Sequence, residues 1–279
     1  MNIEVLGALK VRVNGVCVMP SAPKPRQVLA LLALHADQGV FISTLAEELW
    51  GGTPPRSART TLQTYVLQLR ELIADALEQG GKSQGDSRRT AKDVLVTVQG
   101  GYLLDSGGGT SDVREFERLA TLGYEAIDAE NYQDAVRHLR HALDLWTGPA
   151  FADVQIGEQL RTEARRLEET RLCALDRRIE AELRLGRHRD LLAELTVLVD
   201  RYPTHETLRG QYMRALHRSG RRSEALETYQ LLRATLVREL GLEPSVDLQR
   251  IQRQILSAGP AATPGRAVGG DGDNLAQSV

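Results

Sequence analysis

Thr60–Ile73, TTLQTYVLQLRELI, is the stretch whose pattern decides how the N-terminal part is read. Leu62, Tyr65, Val66, Leu69 and Ile73, with Ala58 one turn upstream, recur at spacings of three and four and share one helical face. Opposite them stand Ser57, Thr60, Thr61, Thr64, Leu67 and Gln68, with Arg56 and Arg70 on the flanks. A helix face that needs only solubility is usually dressed with Glu and Lys. Short hydroxyls, amides and one outward leucine suit base-pair edges, where Gln can read adenine and an apolar group can meet the thymine methyl. Ser and Thr also occur on ordinary exposed helices, so the flanking sequence has to decide.

Upstream, Met1–Val18 alternates loosely (Val5, Leu9, Val11, Val13) with Asn14-Gly15 as a turn, and predicts an antiparallel hairpin. Pro20 to Pro25 is a breaker cluster, and Pro25 can open an apolar helix through Val28, Leu29, Leu31, Leu32 and Leu34 that Gly39 ends. Thr44-Leu45-Ala46-Glu47 fits a capping box for a short second helix closing at Leu49-Trp50-Gly51-Gly52. Pro54 and Pro55 precede the third helix. Glu78 to Lys92 reads as a polar, Gly-rich loop, and VLVTVQGGYLL (94–104) as a strand, a Gly-Gly turn and a returning strand. Strands, three helices and a terminal hairpin are the plan of a winged helix-turn-helix.

Gly107-Gly108-Gly109 reads as a linker, after which the pattern is wholly helical. Leu185-Gly186-Arg187 recurs as Ser219-Gly220-Arg221, and the two glycines lie about 34 residues apart, the tetratricopeptide period. An earlier copy opens at Glu130, and a long helix spans roughly Glu158 to Leu185. Such helix pairs bury their faces only by stacking. The fold class is therefore mainly α: a winged domain at 1–106, a linker at 107–111, an all-α tetratricopeptide-like domain at 112–258, and a disordered tail at 259–279.

Other functions find little support. The 279 residues carry 35 Lys and Arg against 37 Asp and Glu, a net charge of −2, so any nucleic-acid surface must be local. No apolar run reaches a membrane span, no secretion signal precedes the first strand, and the expected location is the cytoplasm. Cys17 and Cys173 have neither metal nor catalytic spacing. Gly81-Lys82-Ser83 resembles the end of a phosphate loop, but Ala76 stands where that motif needs Gly. Asp134, His138 and His141 share a face that can in principle hold a metal; a solvated surface is the plainer reading. No catalytic residue, cofactor or metal is expected, and the chain is not read as an enzyme.

Several motifs match a known family. Leu49-Trp50-Gly51, the run Thr61, Val66, Leu69, Arg70, and Gly101-Tyr102 with Leu104 resemble the OmpR-like winged-helix effector domain, the output half of two-component phosphorelays. LWTGPAFADV (145–154), RRLEETRL (165–172), ELRLGRH (182–188), ALHRSGRRSEAL (215–226) and LVRELGLEPS (236–245) are similar to the bacterial transcriptional activator domain. In this order, over roughly residues 1 to 258, the chain resembles a small Streptomyces antibiotic regulatory protein.

That resemblance implies an activator binding double-stranded DNA at tandem direct repeats, as a dimer or tandem pair, and recruiting RNA polymerase holoenzyme to a secondary-metabolite gene cluster. The third helix would enter the major groove. Thr61, Thr64 and Gln68 would face bases; Thr60, Tyr65 and Arg70 would face phosphate, although Tyr65 fits the core equally well; Arg56, Ser57 and Gln63 would join the DNA contact. Trp50 would aim its indole N–H at a phosphate or pack at the hinge. Arg26, Arg88 and Arg89 would be phosphate contacts, the last two alternatively only solvated. Gln99 and Tyr102 would serve the wing, and Gly51, Gly52, Thr53, Pro54 and Pro55 would form a polymerase-facing turn or a simple connector. Related wings often carry a basic residue before Gly-Tyr; here Thr97-Val98-Gln99-Gly100 is neutral, which predicts a shallower salt dependence. Truncation after Ser106 is expected to keep DNA affinity per domain but to reduce activation or cooperative occupancy. The rival reading is a helical-repeat adaptor acting through protein contacts alone.

Overall fold

The computed structural model describes residues 1–80 and 89–258. Its compact units are Met1–Leu185 and Gly186 onward, so the seam expected near 106–112 falls inside the first unit. Gly81-Lys82-Ser83, Arg88 and the tail expected to be disordered lie outside the described residues.

The first unit opens with β1 (Asn2–Glu4), β2 (Lys10–Val13) and β3 (Val16–Cys17), joined in antiparallel order. The β2–β3 turn uses Asn14 and Gly15, both at positive φ (49° and 83°), as a tight turn between twisted strands requires. Helix α1 (Pro23–Leu34) starts two residues earlier than Pro25 suggested, with Pro at its first position, where the missing N–H costs nothing. It also ends before Gly39. That glycine instead begins β4 (Gly39–Phe41), a three-residue strand too short to show alternation.

Helix α2 (Ile42–Trp50) starts at Ile42, so Thr44 lies inside it and caps nothing. The capping box belongs to α4 (Ala91–Val94), where the Asp93 carboxylate accepts from the Thr90 N–H at 2.8 Å. Helix α3 (Ala58–Gln79) buries Leu62, Val66, Leu69 and Ile73 of the expected stripe and Ala76 beyond it, while Ala58 and Tyr65 of that stripe are half-buried. β5 (Leu95–Val98) and β6 (Gly101–Leu104) form the wing, and β4 pairs with β6 to make a three-stranded sheet. The wing turns at Gln99-Gly100 rather than Gly-Gly. Gly101 is already in the ladder, where a Cβ would stand 2.1 Å from the Val40 carbonyl oxygen.

The glycine linker leads straight into β7 (Thr110–Ser111), which pairs in parallel with β1 and completes the first sheet. Helices α5 (Asp112–Asp128), α6 (Tyr132–Asp144) and α7 (Glu158–Arg184) follow, α5 on α6 and α6 on α7. One continuous apolar core joins the winged part to them, from Ile3, Leu31 and Leu69 to Phe116, Trp146, Phe151 and Leu167.

Polar contacts along that junction are directional. The LWTGPAFADV segment runs beside Val5–Leu9: the N–H groups of Thr147, Phe151 and Ala152 donate to the carbonyls of Leu6, Val5 and Gly7 at 2.9, 3.0 and 2.9 Å. Asp112 accepts from Val5 and Leu6 N–H (2.7 and 2.8 Å), and Asp153 from Leu9 N–H (2.7 Å). Glu48 of α2 is 2% exposed and its carboxylate accepts from the N–H groups of Gly157 and Leu160 (2.5 and 3.0 Å) and from Gln27 Nε2 (2.8 Å). It therefore caps the N-terminus of α7 from a different part of the chain, where negative charge meets the positive end of the helix dipole.

The second unit holds α8 (Leu192–Arg201), α9 (Glu206–Arg218), α10 (Arg222–Leu240) and α11 (Val246–Ser257). Met213, Leu216, Tyr229, Leu232, Leu236, Leu248, Ile251 and Ile255 form its core. Gly186 and Gly220, the repeat markers, both take left-handed φ (78° and 83°). At Glu130 the earlier copy adopts the same conformation without glycine (φ 56°), and Asn131 N–H closes the turn on the Ala126 carbonyl as Arg221 N–H does on Leu216.

Candidate nucleic-acid interface

Helix α3 turns its polar side to solvent. Ser57, Thr60, Gln63, Thr64 and Gln68 are exposed, Thr61 is half-buried, and Leu67 stands 57% exposed among them. Thr64 donates its hydroxyl to the Thr60 carbonyl at 3.1 Å, which fixes its rotamer and leaves its oxygen free to accept. Arg56 and Arg59 are exposed at the start of the helix. Arg59 was not singled out from sequence, although its spacing from Arg56 and Gln63 puts all three on one flank. Behind the helix, α2 ends at Gly51 (φ 62°), and Gly52, Thr53, Pro54 and Pro55 form an exposed connection. The wing tip presents Gln99 to solvent. The arrangement is a helix-turn-helix with a short hairpin beside the second helix, whose outward face carries uncharged donors and acceptors with Leu67 among them and Arg56 and Arg59 at its start.

The comparisons show the family. Residues 111–256 match the bacterial transcriptional activator domain family. The chain is 52% identical over 260 residues to the regulatory protein DnrI of Streptomyces peucetius, covering 93% of each. It is 35% identical to the regulatory protein AfsR of Streptomyces coelicolor, over 94% of this chain and 25% of that one. A solved structure, Mycobacterium tuberculosis EmbR in complex with a low affinity phosphopeptide, matches with a TM-score of 0.81 at 31% identity, over 91% of this chain and 64% of that chain. The chain belongs to the Streptomyces antibiotic regulatory protein family of transcriptional activators.

Within this activator, several residues expected at phosphate are engaged elsewhere. Arg70 donates from Nε and Nη2 to the Leu95 carbonyl (3.0 and 2.8 Å) and from Nη2 to Thr97 Oγ1 (2.8 Å), so it ties α3 to the wing strand β5. Arg26 donates to the Pro20 carbonyl and pairs with Asp153 at 3.2 Å, a strut of the junction just described. Arg89 pairs with Asp105 at 3.1 Å at the base of the wing. Tyr102 is only 6% exposed, its ring in the core behind the wing. Tyr65 and Trp50 are half-buried against the same core, which favours their packing alternatives.

Among the described residues no group of three His, Cys, Asp or Glu side chains could hold a metal ion, and no helix is long and apolar enough to cross a membrane. The Asp134 carboxylate is taken by Asn131 Nδ2 and Arg137, both at 2.7 Å.

Proposed function

We propose that this activator reads tandem direct repeats in double-stranded DNA through the outward face of α3 and recruits RNA polymerase holoenzyme at promoters of a secondary-metabolite cluster. The supporting observation is that Thr60, Gln63, Thr64 and Gln68 are exposed on one side of α3 while Leu62, Val66, Leu69 and Ile73 are buried on the other. A helix so held can lie in a major groove with its core side against its own domain. Ser57, Arg56 and Arg59 would meet backbone and base at the helix start, and Gln99 would reach the adjacent groove from the wing. The exposed Gly51–Pro55 connection would meet the polymerase. Two protomers would sit side by side, since direct repeats set neighbouring copies head to tail, with unlike faces meeting. The protein acts in the cytoplasm as a binding protein rather than an enzyme, and needs no cofactor or metal for DNA recognition.

Footprinting over the intergenic regions beside its gene tests this. Protection of two equally oriented repeats, surviving moderate salt, is the expected result. Absence of any protected sequence would favour the adaptor reading, in which the winged part pairs only with protein.

A further inference from the structure

Phe41 occupies a position that serves neither the core nor its helix. It is the N-cap of α2, where Ser, Thr, Asp or Asn would satisfy a free N–H, and its side chain makes no capping bond. It is 63% exposed. Its Cα pairs with Gly101 across the wing sheet, and a Cβ placed on Gly100 would lie 3.5 Å from its Cδ1 and 3.8 Å from its Cε1. The bare ring therefore lies beside the wing turn, next to exposed Gln99. The same tip, Thr97-Val98-Gln99-Gly100, carries no charge.

We propose that Phe41 is a DNA-contacting residue of the wing, its ring packing on the deoxyribose and base edges of the minor groove flanking the site read by α3. Proteins that enter the minor groove often use apolar side chains there, and a neutral tip removes the electrostatic alternative. The proposal rests on the DNA-reading function above. It gives the wing a contact that releases no counterions, so affinity from this ring is insensitive to salt.

The experiment measures the affinity of the full chain for a footprinted repeat from low to moderate salt, for wild type, Phe41→Ala and Phe41→Leu. Phe41→Ala is expected to bind roughly tenfold more weakly, from the apolar area lost, with the slope of log affinity against log salt unchanged. Phe41→Leu should recover most of that loss. Phe41→Ser supplies the missing cap, so its melting temperature should equal or exceed that of wild type, which separates contact from folding. Equal affinity of Phe41→Ala and wild type would overturn the assignment alone. So would a loss accompanied by a slope shallower by about one unit, the mark of a lost phosphate contact. If wild type forms no specific complex, the DNA reading fails and this inference with it.

Discussion

The two sides of the winged part are built from opposite chemistry. The outward side of α3 offers hydroxyls and amides with one exposed leucine, flanked by arginines. The junction with α5–α7 uses carboxylates, Glu48 from the winged part and Asp112 and Asp153 from across it, each accepting from backbone N–H groups far away in sequence. A carboxylate aimed at a backbone donor is strong and fixed, which suits a junction formed once during folding. Neutral donors and acceptors cost little to leave in water and far less than charges to dehydrate, which suits a face that must exchange water for a partner. Even the basic residues divide this way. Arg26 and Arg70 are spent on internal struts, and Arg56 and Arg59 are left outward.

The sharpest way to break this contrast is to remove one side of the junction. A fragment ending at Ser106 would lose β7, the partners of Val5, Leu6 and Leu9, and the apolar cover of Phe116, Trp146 and Phe151. It is expected to lack a cooperative thermal transition and to bind no operator, whereas a fragment ending at Leu185 should melt cooperatively. This reverses the expectation that truncation after Ser106 spares DNA affinity. A well-folded, DNA-binding 1–106 fragment, seen by circular dichroism and bandshift, would show the junction to be dispensable. Next in size is Glu48→Ala, which strips acceptors from two N–H groups at the start of α7 and from Gln27. The expected loss of stability is about 3 kcal/mol, measured by denaturant titration. A change below about 1 kcal/mol would mean water replaces the carboxylate without penalty.

How much of this was legible in the sequence follows from the range of each signal. The stripe of α3, the Asn14-Gly15 turn and the Gly186/Gly220 repeat are local and could be read. Strands β4 and β7, three and two residues long, have no room to display a period. The junction was invisible for a deeper reason. Asp112 and Asp153 look like ordinary turn and helix-start acids, and apart from Arg26 on Asp153 their partners across the junction are backbone groups, which every residue possesses. The helical pattern put Arg70 on a flank of α3 and the resemblance put Tyr102 in the wing, but neither could show that β5 captures the one and the core the other. Thr44 and Thr90 each head a capping pattern, and only tertiary packing, which starts α2 at Ile42, decides between them.

On the outward side the corresponding test is Gln68→Ala. It removes an amide that has no structural duty, so the melting temperature should not move. Specific affinity should fall by about 1–3 kcal/mol with discrimination relaxed at one base position. Competition bandshifts against single-base operator variants measure both. An equal fall for every sequence would place Gln68 on the backbone and rotate the helix about its axis relative to the orientation argued here.

The smallest expected effect tests whether the junction's charges matter as charges. Burial alone would raise the Asp37 carboxyl, but the Ser106 N–H (2.7 Å), the Arg114 guanidinium (2.7 Å) and the Ser106 hydroxyl (2.8 Å) outweigh it and hold the group below its ordinary value. A carboxylate depressed in the folded state contributes stability above its unfolded value, near pH 4, and loses it as pH falls through the lower folded value. Asp112 has the opposite sign: burial pushes it up despite its bonds from Leu6, Val5 and Val113, so its contribution is largest in acid and fades as pH rises through its raised value. Whole-protein acid titration mixes the two, and a single substitution separates them. Asp37 lies at φ 69°, a conformation asparagine tolerates at least as well, so Asp37→Asn changes charge without adding backbone strain. Its pair with Arg114 is half exposed, which limits the expected cost at neutral pH to about 1 kcal/mol. The difference between wild type and Asp37→Asn, from urea titrations at several pH values, should shrink as pH falls below the ordinary carboxylate range and through the lowered folded value. A difference that stays constant with pH would mean that asparagine fails for its geometry, and that the junction is held by shape rather than by charge.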